Sequence, residues 1–176
     1  MLKKLQYIRF TLICSLCFLL LTSFQNQYNT NAKIKSLFIY NFAKYIEWPN
    51  TYKKGNFIVG ILGDHPVYDE LQKMAQLKKV FDQKLEIVKF SSIDEIKKCH
   101  MLMVTSKMES KVNEASNKIK PYHTLLITEK EGLGKSSDIN FVVVGNKQKF
   151  ELNKPNLTKR NLKVSNNLLS LAIVIE

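Results

Sequence analysis

The sequence predicts an α/β fold: a mixed, largely parallel sheet with helices on both faces, followed by a C-terminal hairpin and helices. Strand-like apolar runs alternate with helical segments between Asn56 and Thr128, which is the pattern of strand–helix–strand crossover units. The first run, which ends at Leu62, is almost continuously apolar, as is typical of a strand covered on both faces. Gly145-Asn146 joins two later runs and favours a tight antiparallel hairpin.

The first residues have the order of a secretory signal peptide. Residues 1–9 carry three basic residues and no acid, residues 10–21 form an apolar run, and Thr22-Ser23 offers small side chains for cleavage. A run of twelve residues is too short to cross about 30 Å of hydrocarbon as a helix. We therefore expect a signal peptide over residues 1–23, cleavage near Ser23 and a periplasmic protein. An uncleaved N-terminal anchor is the alternative.

The rest of the chain is predicted to be one domain. Residues 24–30 are polar and are expected to form a disordered lead. Residues 31–176 contain no linker or repeat, and about 150 residues suffice for a substantial core.

The basic residues are almost all lysines. The signal carries three of them and no acid, so its removal lowers the formal net charge from +12 to +9. Arg9 and Arg160 are the only arginines among the 27 basic residues, and base readers favour arginine. The composition indicates a solvated lysine-rich surface, with attraction to an anionic membrane or an acidic partner as the alternative. We expect no nucleic acid partner for an exported chain.

The first element is predicted to be a helix from about Asn31 to Glu47. It ends before Pro49 because a proline pushes the preceding residue out of the helical region. We expect its apolar face to be core. Tyr40, Lys44 and Trp48 lie off that face or at its edge, and we expect them to form any partner-binding surface, with Trp48 as the anchor. The apolar residues recur three and four positions apart, at Ile34, Leu37, Phe38, Phe42, Tyr45 and Ile46.

The later elements follow from the same patterns. Pro66 suits the first position of a helix that has one apolar face and runs to Leu77. Lys84–Phe90 alternates apolar and polar residues, as a half-buried strand does. The remaining predicted elements are a short helix at Ser92–Lys98, a strand at Cys99–Thr105, a polar helix or turn at Lys107–Ile119, strands at His123–Thr128, Ile139–Gly145 and Lys149–Leu152, and helices at Pro155–Leu162 and Ser165–Ile175.

No catalytic constellation is recognisable in the sequence. It contains no H-E-x-x-H pair, no G-x-S-x-G elbow and no Walker-type loop, so we expect a binding or regulatory module without cofactor or metal. Asp64 and His65 follow a strand end, where ligands bind in open α/β sheets, and are the candidate ligand-binding residues. A structural role for His65 is the alternative, and an unrecognised hydrolase or transferase is a third possibility.

Cys99 is the only cysteine left once the signal is removed, because Cys14 and Cys17 lie within the signal. An internal disulfide is therefore excluded in the mature chain. We expect Cys99 to be a buried small hydrophobe, with a redox thiol or an intermolecular bridge as alternatives.

The chain resembles the YfiR-like family of small exported bacterial proteins. The resemblance rests on five ordered segments: FIYNFAKYIEWP at 38–49, FIVGILGDHPVYDEL at 57–71, CHMLMVT at 99–105, HTLLITEKEGL at 123–133 and INFVVVGNKQKFELN at 139–153.

This resemblance implies an α/β sandwich that acts as a periplasmic regulator without catalytic activity. It implies binding to the periplasmic part of a membrane signalling protein, a diguanylate cyclase, and hence lower cyclic-di-GMP signalling and less biofilm. A homodimer is also implied. Redox control through paired cysteines is a theme of the family, but the mature chain keeps only Cys99, so we expect no internal disulfide switch here.

Overall fold

The computed structural model describes residues 30–176. The predicted signal peptide, its cleavage point and all but the last residue of the predicted lead lie outside the described residues. Thr30, the last residue of that lead, is helical. Within residues 30–176, no helix combines the length and the apolar character needed to cross a membrane.

The secondary structure alternates as predicted. The helices are α1 (30–45), α2 (Val67–Leu77), α3 (Val112–Lys118), α4 (Lys154–Lys159) and α5 (Asn166–Leu169), with 3₁₀ turns at Asn50–Tyr52 and Ser106–Lys111. The strands are β1 (Ile46–Glu47), β2 (Phe57–Leu62), β3 (Lys79–Val80), β4 (Gln83–Phe90), β5 (Met101–Val104), β6 (Leu125–Thr128), β7 (Ile139–Val144), β8 (Lys147–Asn153), β9 (Lys163–Val164) and β10 (Ile173–Ile175).

The main sheet has the order β10-β8-β7-β6-β5-β2-β4-β3. Only the β7–β8 and β3–β4 pairs are antiparallel, which confirms the predicted mixed, largely parallel sheet with a hairpin near its C-terminus. After β2 the chain adds β4 on one side, and it then returns to add β5, β6 and β7 on the other. The carboxyl ends of β2 and β5 therefore flank the point where the strand order reverses, where open α/β sheets bind their ligands.

Apolar side chains fill a separate core on each face of the sheet, as predicted. On one face, α1 packs its phenylalanines against the β7–β8 hairpin, with the Phe42 and Phe150 ring centroids 5.0 Å apart at 67°. On the other face, α3 buries Val112 and Ala115 against Leu102 of β5. Edge-to-face ring pairs contribute stability beyond that of their buried apolar area and prefer a specific geometry. This contact therefore defines how α1 packs on the hairpin.

Three elements differ from the prediction. The helix predicted to reach Glu47 ends at residue 45, because Ile46 and Glu47 pair with Val164 and Lys163 in a separate two-stranded antiparallel sheet. The short helix predicted at Ser92–Lys98 is replaced by bends and a single turn, which the Ile96 N–H closes on the Ile93 carbonyl. The last predicted helix stops at Leu169, and the β-branched run that follows pairs in parallel with β8.

A tight hairpin between β3 and β4 was absent from the prediction. Val80 pairs with Gln83 across the two residues Phe81 and Asp82. Phe81 has φ 51°, a left-handed conformation that is unusual for a bulky residue. The pair Phe81-Asp82 carries none of the Gly or Asn signals that mark such turns in sequence.

Candidate functional site

A cleft of about 710 Å³ lies between the β1–β9 sheet and the β3–β4 hairpin. This volume is within the range typical of pockets that bind small molecules. The chain that leaves α1 supplies one wall through β1, and the turn at Phe81-Asp82 supplies the facing wall. The floor consists of four rings, from Trp48, Tyr52, Phe57 and His100.

The floor rings hold one another in fixed orientations. Trp48 meets Phe57 edge-on, with centroids 5.1 Å apart at 87°, and Phe57 stacks on His100 at 4.2 Å. The Trp48 indole also donates a hydrogen bond from Nε1 to the carbonyl oxygen of His100 over 3.2 Å. Aromatic pairs in such arrangements are mutually stabilising, so these contacts hold the floor together.

His100 is held neutral in this floor. Its Nδ1 accepts a hydrogen bond from the Ile58 N–H over 3.0 Å, and its Nε2 donates to the Tyr52 carbonyl over 2.8 Å. Burial lowers the pKa of His100 below its ordinary value, although the bond to the Tyr52 carbonyl opposes this shift. The floor therefore presents an uncharged aromatic surface at neutral pH.

The rim of the cleft combines charges with exposed aromatic rings. Phe81 is 69% exposed and Tyr45 39% exposed, although both are large and apolar. Exposed rings beside a buried aromatic floor are typical of binding surfaces. The polar groups that line the cleft with them are Lys44, Glu47, Lys53, Asp82, Gln83 and Lys163.

The three residues predicted to bind a partner lie in or near this cleft. Lys44 is exposed and lines it. Tyr40 is half-buried, donates a hydrogen bond to the Lys79 carbonyl over 2.9 Å, and has the Lys78 ammonium 5.0 Å from its ring centroid. Trp48 was expected at the surface, and this prediction is wrong because Trp48 is only 5% exposed. The helical period stops before Trp48, so its place on a helical wheel did not predict its orientation.

The two predicted ligand-binding residues are not brought together. Gly63, with φ 91°, turns the chain after β2, and an added Cβ there would lie 2.6 Å from Thr105 Oγ1. Asp64 then faces solvent and pairs with Lys89, whose hydrogen bond and charge lower the pKa of Asp64. His65 turns inward, where its Nδ1 accepts from the Val67 N–H over 3.0 Å.

His65 belongs to a buried cluster around Glu129, at the carboxyl ends of β2 and β6. Glu129 Oε2 accepts from Lys35 Nζ of α1 over 2.6 Å and lies 3.2 Å from His65 Nε2, while Oε1 accepts from the Ser106 N–H over 2.7 Å. Burial alone would raise the pKa of Glu129, but the His65 hydrogen bond and the Lys35 charge outweigh it and lower the pKa to about 2. Lys35, His65 and Glu129 thus fasten α1 to the sheet.

Sequence reasoning missed Lys35 and Glu129. Glu129 directly follows a strand, so the rule that singled out His65 applied to it equally. No local pattern marks Lys35, because its partner is 94 residues away. A ligand-binding role for Asp64 and His65 stays a prediction, and His65 contacts the protein's own side chains in this structure.

Cys99 is buried, as expected, with 1% of its surface exposed. Burial raises the pKa of its thiol to about 12, which leaves almost no reactive thiolate at neutral pH. Residues 30–176 contain no second cysteine and no cluster of three or more potential metal-binding His, Cys, Asp or Glu side chains. A redox role for Cys99 stays a prediction.

Comparison with known protein families shows a match over most of the chain. The sequence model described as YfiR/HmsC-like matches residues 32–173, which is almost all of the chain that the structure describes. No curated protein matches the chain. The matched region contains both walls and the floor of the aromatic cleft as well as the Glu129 cluster.

Proposed function

Because the chain belongs to the YfiR/HmsC-like family, we propose that it is a non-catalytic periplasmic regulator that binds the extracytoplasmic part of a membrane signalling protein. That family is one of periplasmic regulators of cyclic-di-GMP signalling. The specific proposal is that the partner is a diguanylate cyclase, which this protein represses, so that cyclic-di-GMP and biofilm formation fall. The family match over residues 32–173 carries the proposal.

The rim of the aromatic cleft is the surface that we propose for the partner. Phe81 and Tyr45 offer exposed rings beside the buried aromatic floor, and exposed aromatic rings are common among interface hot spots. Three lysines outnumber two acids around the same opening, which leaves a small excess of positive charge although Lys53 pairs with Glu47. Such charges speed association with an acidic patch on a partner more than they raise the affinity.

A deletion strain tests the regulatory role directly. We expect cyclic-di-GMP to rise on deletion and to return to its original level when the gene is restored. In the restored strain, a photo-crosslinking amino acid at position 44 should capture a membrane protein that carries a cyclase domain. The control is the same amino acid at Lys118, an exposed residue of α3 on the other face of the sheet. Unchanged cyclic-di-GMP, with no membrane protein captured at position 44, would contradict the proposal.

A small-ligand sensor is the second candidate, favoured by the volume and the aromatic floor of the cleft. A thermal-shift screen of periplasmic metabolites against the mature protein should then give a stabilising compound. Phe81→Ala, at the cleft rim, should abolish that shift. Leu77→Ala should keep it, because Leu77 is 86% exposed and does not line the cleft. A screen without any stabilising compound removes this candidate.

A homodimer is also part of the proposal. The edge strand β10 exposes Ile173 and Val174, and Leu171, two residues before the strand, is exposed as well. A strand at a sheet edge offers unpaired backbone groups to a second chain. Light scattering of the mature protein should give twice the monomer mass. A monomer at all concentrations would exclude the dimer without affecting the regulatory proposal.

A further inference from the structure

A second pocket, of about 370 Å³, lies between the end of α3, the turn that follows it and the end of α4. No carboxylate lines it, although the chain as a whole carries 15 acidic residues. Hydroxyl, amide and basic groups predominate on its walls. The lining residues are Ser116, Asn117, Lys120, Pro121, Tyr122, His123, Ser136, Asn156, Lys159 and Arg160.

Arg160 is the only arginine in residues 30–176, and it is held in place from behind this pocket. Its Nε donates to Asp138 Oδ2 over 2.7 Å, and a terminal nitrogen donates to Ser116 Oγ over 3.2 Å. Asp138 is fully buried and also accepts from the Leu126 N–H over 2.6 Å. A planar guanidinium fixed in this way is suited to oxyanions, which it binds with two parallel hydrogen bonds.

Lys120 and Lys159 add positive charge that the protein does not neutralise. Neither forms a salt bridge with any residue that the structure describes. With Arg160, the three side chains bring three positive charges to the pocket, and the Asp138 carboxylate offsets one of them. At least two positive charges therefore remain for a ligand, which matches the charge of a phosphate monoester near pH 7.

We propose that this pocket binds the phosphate group of a soluble molecule or of a lipid headgroup, with Arg160, Lys120 and Lys159 as the phosphate-binding residues. Asp138 acts as a positioning residue, because it reaches the pocket only through Arg160. The hydroxyl of Ser136 and the amide of Asn117 are exposed, line the same pocket and supply further donors. This site is independent of the partner surface proposed above.

A pair of double variants tests the site at equal net charge. Lys120→Gln/Lys159→Gln removes two pocket lysines. Lys118→Gln/Lys154→Gln removes two exposed lysines, one each from α3 and α4, that do not line the pocket. Isothermal titration with inorganic phosphate and glycerol 3-phosphate, at constant ionic strength with chloride as the reference, should show binding by the wild type and the control. The pocket variant should bind about tenfold more weakly or worse, since charge-assisted bonds are among the strong ones.

The source of the phosphate group is decided by a second arm with vesicles. If soluble phosphates fail but phosphatidylglycerol vesicles sediment the wild type and the control, and not the pocket variant, the phosphate belongs to a lipid headgroup. Binding of glycerol 3-phosphate without vesicle binding identifies a soluble ligand. Equal losses in the two double variants, or no phosphate binding beyond that of chloride in either arm, would overturn the proposal.

Discussion

The aromatic cleft and the Glu129 cluster differ in whether their side chains are open to a ligand or partner. In the cluster, the Glu129 side chain is 3% exposed and both of its oxygens accept hydrogen bonds from the protein. In the cleft, the rings of the floor are buried and contact one another, but Phe81 at the rim is largely exposed. The cluster lies where open α/β sheets bind ligands, yet it is closed by α1. Position in the fold therefore locates a candidate site. Whether the site can bind a ligand depends on whether its polar groups already have hydrogen-bond partners within the protein.

The two regions also differ in which elements of the fold their contacts connect. Cluster contacts run from α1 to strand ends, so they hold the domain together. Cleft contacts join the chain after α1 to the β3–β4 hairpin, and the opening between them is wide enough for a ligand. We expect substitutions in the cluster and in the cleft floor to change stability, and substitutions at the cleft rim to change binding alone.

Trp48→Ala is expected to have the largest effect. Trp48 is 5% exposed, and its removal opens a cavity in the cleft floor and takes away one of the two donors to the His100 carbonyl, which keeps the Leu125 N–H. Large-to-small changes of this kind cost about 3–5 kcal/mol. Urea unfolding followed by circular dichroism measures the loss. A stability within about 1 kcal/mol of the wild type would show that Trp48 is not part of the core.

Glu129→Gln tests the cluster. The change leaves the Lys35 ammonium, which is 14% exposed, without its counter-charge. Breaking a buried pair by removing one partner costs about 3 kcal/mol or more. The control is Glu109→Gln, which breaks the exposed pair with Lys130 and should cost at most about 1 kcal/mol. Equal costs in urea unfolding would mean that the cluster does not fasten α1.

The same carboxylate predicts a dependence of stability on pH. The pKa of Glu129 is about 2 in the folded protein against an ordinary 4.5, so the unfolded chain binds its proton more tightly. Its stabilising contribution is full above about pH 5 and is lost as the pH falls towards 2, by about 3 kcal/mol in all. Urea midpoints at pH 7, 4.5 and 3 measure this loss. Glu129→Gln should show a shallower decline, and parallel curves would contradict the assignment.

Sequence patterns predicted the sheet and the α1 core because these depend on local periodicity. The continuously apolar strands β5 and β6 are buried along their whole length, and Phe42 and Ile46 of the three-and-four pattern are buried as well. Leu37 and Tyr45 belong to the same pattern but are exposed, so the spacing marked the apolar face of α1 and not the burial of every residue on it. The cleft was not predictable in this way, since its floor joins Trp48, Phe57 and His100 across 52 residues. Trp48 was misplaced because its backbone lies beyond the end of α1. The Lys35–Glu129 pair left no local signal.

The smallest expected effect concerns the turn at the cleft rim. Phe81 adopts φ 51°, a conformation that Asn tolerates better than Phe. Phe81→Asn should therefore leave the unfolding free energy unchanged or raise it by up to about 1 kcal/mol, while cross-linking at the rim or ligand binding in the cleft is lost. An exposed ring kept at a conformational cost is explained by binding. A loss of stability beyond about 1 kcal/mol would instead show that Phe81 stabilises the fold. The rim would then resemble the Glu129 cluster in its contribution to stability.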